Sequence, residues 1–203
     1  MKQLNIFINE KLKISSKSKI NHYNYFPENK SQLKNIIEDI IEKNGENANL
    51  NDIDTSKITD MSDLFLHSKF NGDISNWDVS NVENMSNMFQ YCKFNGDISN
   101  WDVSKVKQMQ QMFYGSIFNG DISKWNVRKV KNMESMFKES EFNGDISNWD
   151  VSSVEDISFM FYKSKFNQDI SNWNLININD NDNIYKVFDF CPLEKNPPKW
   201  YHE

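Results

Sequence analysis

The 203-residue sequence has two cysteines, four prolines, six glycines and one arginine, Arg128, against 22 lysines. Each scarcity removes a class of protein. Cys92 and Cys191 are far apart and lack metal-ligand spacing, so neither a disulfide framework nor a thiolate metal site is expected. No apolar run approaches the roughly 18 residues a membrane-spanning helix needs. The opening MKQLNIFINEKLKI places Asn5, Asn9 and Glu10 where a secretion signal requires an unbroken apolar core. A cytoplasmic location is therefore expected, with the cell surface as the alternative. Net charge is -6, and the excess of lysine is confined to residues 1–50, so the body of the chain is acidic. Nucleic acid is a poor partner for such a body, because phosphate binding needs clustered Lys and Arg. His22, His67 and His202 are not grouped with any serine or cysteine, and no phosphate-cradling glycine loop occurs. The sequence reads as non-enzymatic, with no cofactor.

What the chain does have is one unit written repeatedly. Phe70–Phe89 reads FNGDISNWDVSNVENMSNMF, and the frame returns at Phe94, Phe118, Phe142 and Phe166, always 24 residues on. Trp77, Trp101, Trp125, Trp149 and Trp173 keep the same step. A fixed period of roughly 20–50 residues signals stacked repeats that bury their apolar edges only against their neighbours. An earlier, degenerate copy aligns Asp54–Phe65 with Asp78–Phe89, placing Leu50 and Ile53 at the Ile74 and Trp77 positions. At the far end NIYKVF at 183–188 matches NMSNMF three residues late, so Asp180–Asp182 read as an insertion. Trp200 and Tyr201 are expected to fold back over the last coil.

The spacing within a unit predicts an α/β repeat. Trp77 and Val79 are two apart and would share one face of a short strand, with Asn76, Asp78 and Ser80 on the other. Val82, Met85, Met88 and Phe89 have helical spacing and suggest a short helix on the opposite wall. The expected architecture is a leucine-rich-repeat-like solenoid of 24-residue coils, each a short parallel strand plus a short helix. Residues 1–45 form an N-terminal cap with a helix at about 31–44, residues 46–190 hold five to six coils, and 191–203 form a C-terminal cap or tail. In the cap, Leu33, Ile36, Ile37, Ile40 and Ile41 make an apolar stripe, Ser31 is a plausible N-cap, and Gly45 a stop.

The unit FNGDISNWDVSNVxxMxxMF resembles the BspA-like leucine-rich repeat of bacterial surface proteins, in the variety also found in mycoplasma lipoproteins. The match covers about 54–175, and WDVS-V-M-MF makes it specific. The resemblance implies a leucine-rich-repeat solenoid with a role in protein binding, often adhesion. It carries over no catalytic residue.

Two sets of columns are candidate sites. Asp73, Asp97, Asp121, Asp145 and Asp169 could form a calcium ladder, but each coil supplies one carboxylate and calcium takes about six to eight oxygens, so turn capping is the stronger reading. The exposed strand face carries Asn76, Asn100, Lys124, Asn148, Asn172, then Asp78, Asp102, Asn126, Asp150, Asn174, then Ser80, Ser104, Arg128, Ser152, Ile176. The middle coil breaks all three columns. Lys124, Asn126 and Arg128, flanked by Asn100, Asp102, Asn148 and Asp150, form the expected binding residues for a protein partner, since guanidinium suits carboxylate recognition. Relief of repulsion by pairing with Asp102 and Asp150 is the competing reading. The expected function is a non-enzymatic protein-binding module that uses this face. A surface adhesin and an acidic antagonist of a host protein are the alternatives.

Overall fold

The computed structural model describes residues 23–201; residues 1–22 of the segment assigned to the cap lie outside the described residues. One α-helix, α1, spans Lys30–Asn44. Its cap is Asn29 rather than Ser31: the Asn29 side chain accepts the Gln32 backbone N–H, satisfying one of the donors left over at a helix start. Gly45, at φ 84°, closes the other end and donates to the Ile41 carbonyl. Leu33, Ile37 and Ile40 are buried against the first repeat, and Lys30 reaches Ser62, Asp60 and Asp63 there.

From residue 46 the chain runs as stacked layers joined by backbone hydrogen bonds at the repeat interval. Met85, Asn87, Phe89 and Tyr91 donate to the carbonyls of Gln108, Gln110, Met112 and Tyr114, each 23 residues on. The same pattern joins Met109–Gly115 to Asn132–Lys138 and Met133–Glu139 to Asp156–Tyr162. Parallel bridges link Asp60, Asn84, Gln108, Asn132 and Asp156 in turn. In the last layer the donors Ile157, Phe159, Phe161 and Lys163 reach Asn183, Tyr185, Val187 and Asp189, now 26 residues on. The three extra residues are absorbed around the 3-10 turn Asn181–Ile184.

The strand-plus-helix coil expected from the sequence does not form, and the α/β leucine-rich-repeat solenoid is thereby overturned. Among the described residues the layers contain isolated bridges but no sheet, and α1 is the one α-helix. Turn chemistry is the reason. Alternate residues in the presumed helix, Met88, Gln90 and Cys92, donate three residues back to Met85, Asn87 and Phe89. Asn87 and Tyr91, third in the turns 85–88 and 89–92, have φ of 56° and 50°. A left-handed residue at that position is the signature of a type II turn and stops helix propagation. Consecutive turns thus keep the inward spacing of three that imitates a helix. The presumed strand is cut in the same way: turns close at Ile74–Trp77 and Val79–Val82, leaving only Trp77–Val79 between them.

Side-chain caps hold each corner. Asp73, Asp97, Asp121, Asp145 and Asp169 accept the backbone N–H two residues ahead, at 2.9 Å. Asp78, Asp102 and Asp150 do the same at a second corner, and Asp60, Asn84, Asn132 and Asp156 at a third. Such Asx-turns substitute a side-chain oxygen for a backbone partner. They also hold the carboxyl groups of the first corner below their ordinary value; for Asp97, Asp121 and Asp169 the Ser hydroxyl two residues ahead contributes most. Between layers, the side-chain oxygens of Asn71, Asn95, Asn119 and Asn143 accept the backbone N–H of the asparagine 24 residues later.

The interior is a set of vertical columns. Phe65, Phe89, Phe113, Phe137, Phe161 and Phe188 stack in one, at 5.5–5.9 Å between ring centroids. Phe70, Phe94, Phe118, Phe142 and Phe166 stack in another at 6.1–6.3 Å. Each indole donates to a carbonyl 27 residues earlier: Trp77 to Leu50, Trp101 to Ile74, Trp125 to Ile98, Trp149 to Ile122 and Trp173 to Ile146. Each of these five tryptophans therefore fills core and ties two layers, which suits an amphipathic ring. The corner glycines serve these columns. A Cβ on Gly72 would lie 1.9 Å from the Ala48 carbonyl oxygen, and one on Gly96 2.8 Å from the Phe94 ring. Gln168 takes this place in the layer of Phe166, where its side-chain amide donates to the Asn143 side-chain oxygen at 3.1 Å. At the end of the stack Trp200 lies against Trp173 at 6.3 Å and donates to the Ile170 carbonyl.

Candidate functional site: a basic groove across the middle layers

A concavity of about 610 Å³ is lined by Ser104, Lys107, Asn126, Arg128, Lys129, Lys131 and Ser153. Its residues come from three successive layers and from the loop after the second corner. The backbone there is registered twice over. Lys107 donates to the Glu83 carbonyl, Lys131 to Lys107, and Glu155 to Lys131, while the turns Val103–Val106 and Val127–Val130 close immediately before. Arg128 and Lys129 occupy the two central positions of the latter turn, so they project into solvent from a fixed base.

The charge sequence along the stack is the informative feature. Glu83, Lys107, Lys131 and Glu155 form one column with acid at both ends and base in the middle. The Lys107 ammonium pairs outward with Glu83 at 2.7 Å, and Lys131 pairs outward with Glu155. The hydrogen bond and charge of Lys107 hold the Glu83 carboxyl below its ordinary value, with Lys105 and Lys129 adding to the effect. Lys105 itself donates to the Asn81 side chain, again away from the centre. Two cations in the groove are thus committed to neighbours, and Arg128 and Lys129 form no ion pair among the described residues.

Of the residues expected from the sequence, the groove brings together Asn126 and Arg128. Lys124, Asn100, Asp102, Asn148 and Asp150 are all exposed but do not line it. The notion of one strand face fails because Lys124 sits in the turn Ile122–Trp125 and Arg128 in the next turn. Charge relief is also a minor part of the picture. Asp102 and Asp150 lie below the ordinary carboxyl value chiefly through hydrogen bonds from Ser104 and Ser152; Lys105 and Arg128 contribute less. The middle layer gives up the better corner to carry Arg128. Asn126 accepts the Arg128 N–H at 3.3 Å, whereas Asp150 accepts both the Ser152 N–H and its hydroxyl. Lys107 and Ser153 were missed, and Ser104 stood in the Arg128 column without being counted among the binding residues, although the change of sign within the Glu83–Lys107–Lys131–Glu155 column at the repeat interval was there to find.

A second exposed feature runs along the left-handed turns. His67 stacks on Tyr91, Tyr91 meets Tyr114, and Phe159, Tyr162, Tyr185 and Phe190 continue edge to face. Lys138, Lys163 and Lys186 lie over these rings at 5.0–5.8 Å. Those cation–π contacts occupy the ring faces from within the chain.

The repeats, their shared register and the helical cap define a repeat protein. The family model described as "Mycoplasma protein of unknown function, DUF285" matches residues 31–141 and 114–193, and the chain belongs to that family. No curated protein and no solved structure matches the chain. Among the described residues, no helix is long and apolar enough to cross a membrane.

Proposed function

We propose that the stack is a non-enzymatic protein-interaction module whose partner docks on the groove around Arg128. The observation that carries this reading is the pair of cations, Arg128 and Lys129, that form no ion pair among the described residues and sit on a hydrogen-bonded turn at the centre of an otherwise acidic stack. Arginine is favoured where binding energy concentrates, because its planar fork makes two aligned hydrogen bonds and its hydration shell is weakly held. The resemblance of FNGDISNWDVSNVxxMxxMF to BspA-like repeats supports a binding role, though the strand-bearing coil of that resemblance is not shared.

The test is affinity capture from the source cell with the wild-type chain and with Arg128→Glu/Lys129→Glu. The expected result is a protein retained by the wild type and lost from the variant, with the melting temperatures of the two chains alike. An identical captured set from both chains would remove the groove as the docking surface.

A further inference from the structure

We infer that the groove recognises a short carboxylate-rich segment of polypeptide, about three residues long, and that Glu83 and Glu155 act as its built-in competitors. This deepens the reading above and rests on it. The chemistry follows from the charge order. Arg128 and Lys129 are exposed and form no ion pair among the described residues, whereas Lys107 and Lys131 are drawn outward to Glu83 and Glu155. An incoming carboxylate meets the guanidinium first, in the paired geometry that Arg and a carboxylate share. It can then recruit Lys107 and Lys131 by exchange, since both of their present pairs are exposed and such pairs are weakly held.

The size of the ligand follows from where the positive band ends. Lys105, Lys107, Arg128, Lys129 and Lys131 belong to two adjacent layers, and the layers on either side present Glu83, Asp78, Asp150 and Glu155. Two layers at about 4.8 Å each span about 10 Å, which an extended chain crosses in about three residues. A longer polyanion would run from the band onto carboxylates of its own sign. Nucleic acid and long polyphosphate are therefore disfavoured, and a brief acidic run in a protein is the ligand that fits. Asn126, Ser104 and Ser153 line the same groove and supply neutral polar groups for the backbone of such a segment.

The experiment is fluorescence anisotropy with a labelled Gly-Ser peptide carrying a central run of about three glutamates, its glutamine counterpart, and a single-stranded oligonucleotide. The glutamate peptide is expected to bind, to weaken as salt is raised, and to exceed the glutamine peptide at least tenfold. Arg128→Glu/Lys129→Glu should cost at least tenfold, while Lys163→Glu, among the aromatic contacts elsewhere, should cost nothing. Glu83→Gln/Glu155→Gln should tighten binding several-fold by releasing Lys107 and Lys131, a gain that a purely structural role for those glutamates would not produce. Equal binding of the two peptides, preference for the oligonucleotide, or loss of affinity in Glu83→Gln/Glu155→Gln would overturn the inference. If the peptide fails while the captured partner is still lost from Arg128→Glu/Lys129→Glu, the carboxylate chemistry is wrong and the interaction module stands. If both fail, both fall.

Discussion

The buried columns and the basic corner are written by opposite rules. Inside, each layer repeats its neighbour: phenylalanine on phenylalanine and tryptophan on tryptophan, at 0–5% exposure. At the corner that bears Arg128, the middle layer departs from the Asp-x-Ser of the layers on either side and reverses the sign of the charge. Repetition marks what packing demands, since a layer of altered volume would leave a void or a clash above and below. Departure marks a position released from packing. There the Asn126 corner is looser than its equivalents, so the substitution is not explained by stability.

That contrast can be broken in four ways, taken from the largest expected effect to the smallest. Trp125→Ala removes a ring from the centre of the stack together with its hydrogen bond to Ile98, and should cost about 3–5 kcal/mol in urea unfolding. A loss under about 1 kcal/mol would mean that the columns are less continuous than they look. Next is acid. The first-corner carboxyls have folded values below their ordinary 3.8, so their contribution is fully present above that pH and is lost as pH falls through the lower folded values. The urea midpoint should be flat above about pH 5 and decline steeply below 4. Asp97→Asn/Asp121→Asn/Asp145→Asn should shallow that decline, and an unchanged acid limb would deny the carboxyls their part in the corners.

Third, Glu139→Gly places glycine where the chain has φ of 54°, in the same column as Gly115. Relief of the left-handed cost should raise stability by about 1 kcal/mol. A drop instead would show that the turn relies on the Glu139 side chain. Last, Arg128→Glu/Lys129→Glu should shift unfolding by no more than about 0.5 kcal/mol, because neither side chain holds the stack together. A large destabilisation there would erase the distinction between the two regions.

The columns were legible because burial imposes a period that survives in the letters: Phe70, Ile74, Trp77, Val79, Val82, Met85 and Met88 all point inward and all recur. The backbone between them was not legible. Met85 and Met88 are three apart in a helix and in a four-residue turn alike, and only the positive φ of Asn87 and Tyr91 separates the two. Nothing in a tyrosine or a phenylalanine announces a left-handed conformation, which bulky residues seldom adopt. The site was half legible for a related reason. Arg128 and Asn126 stood out as breaks in their columns, but grouping them with Lys124 assumed a pleated face. Lys107 and Lys131, by contrast, are neighbours only through the stacking.

Trp200 occupies the seat that the tryptophan of one more repeat would take, reaching Ile170 across 30 residues where the internal indoles span 27. The tail is thus a stopper cut to the same gauge as the units it terminates. It fits the face of the last layer without regard to how many precede it, so the number of repeats is free to change by duplication while the end stays sealed. Without it, the face of Trp173 and the Ile170 carbonyl would stand open, and the terminus of one molecule would offer a template for the next.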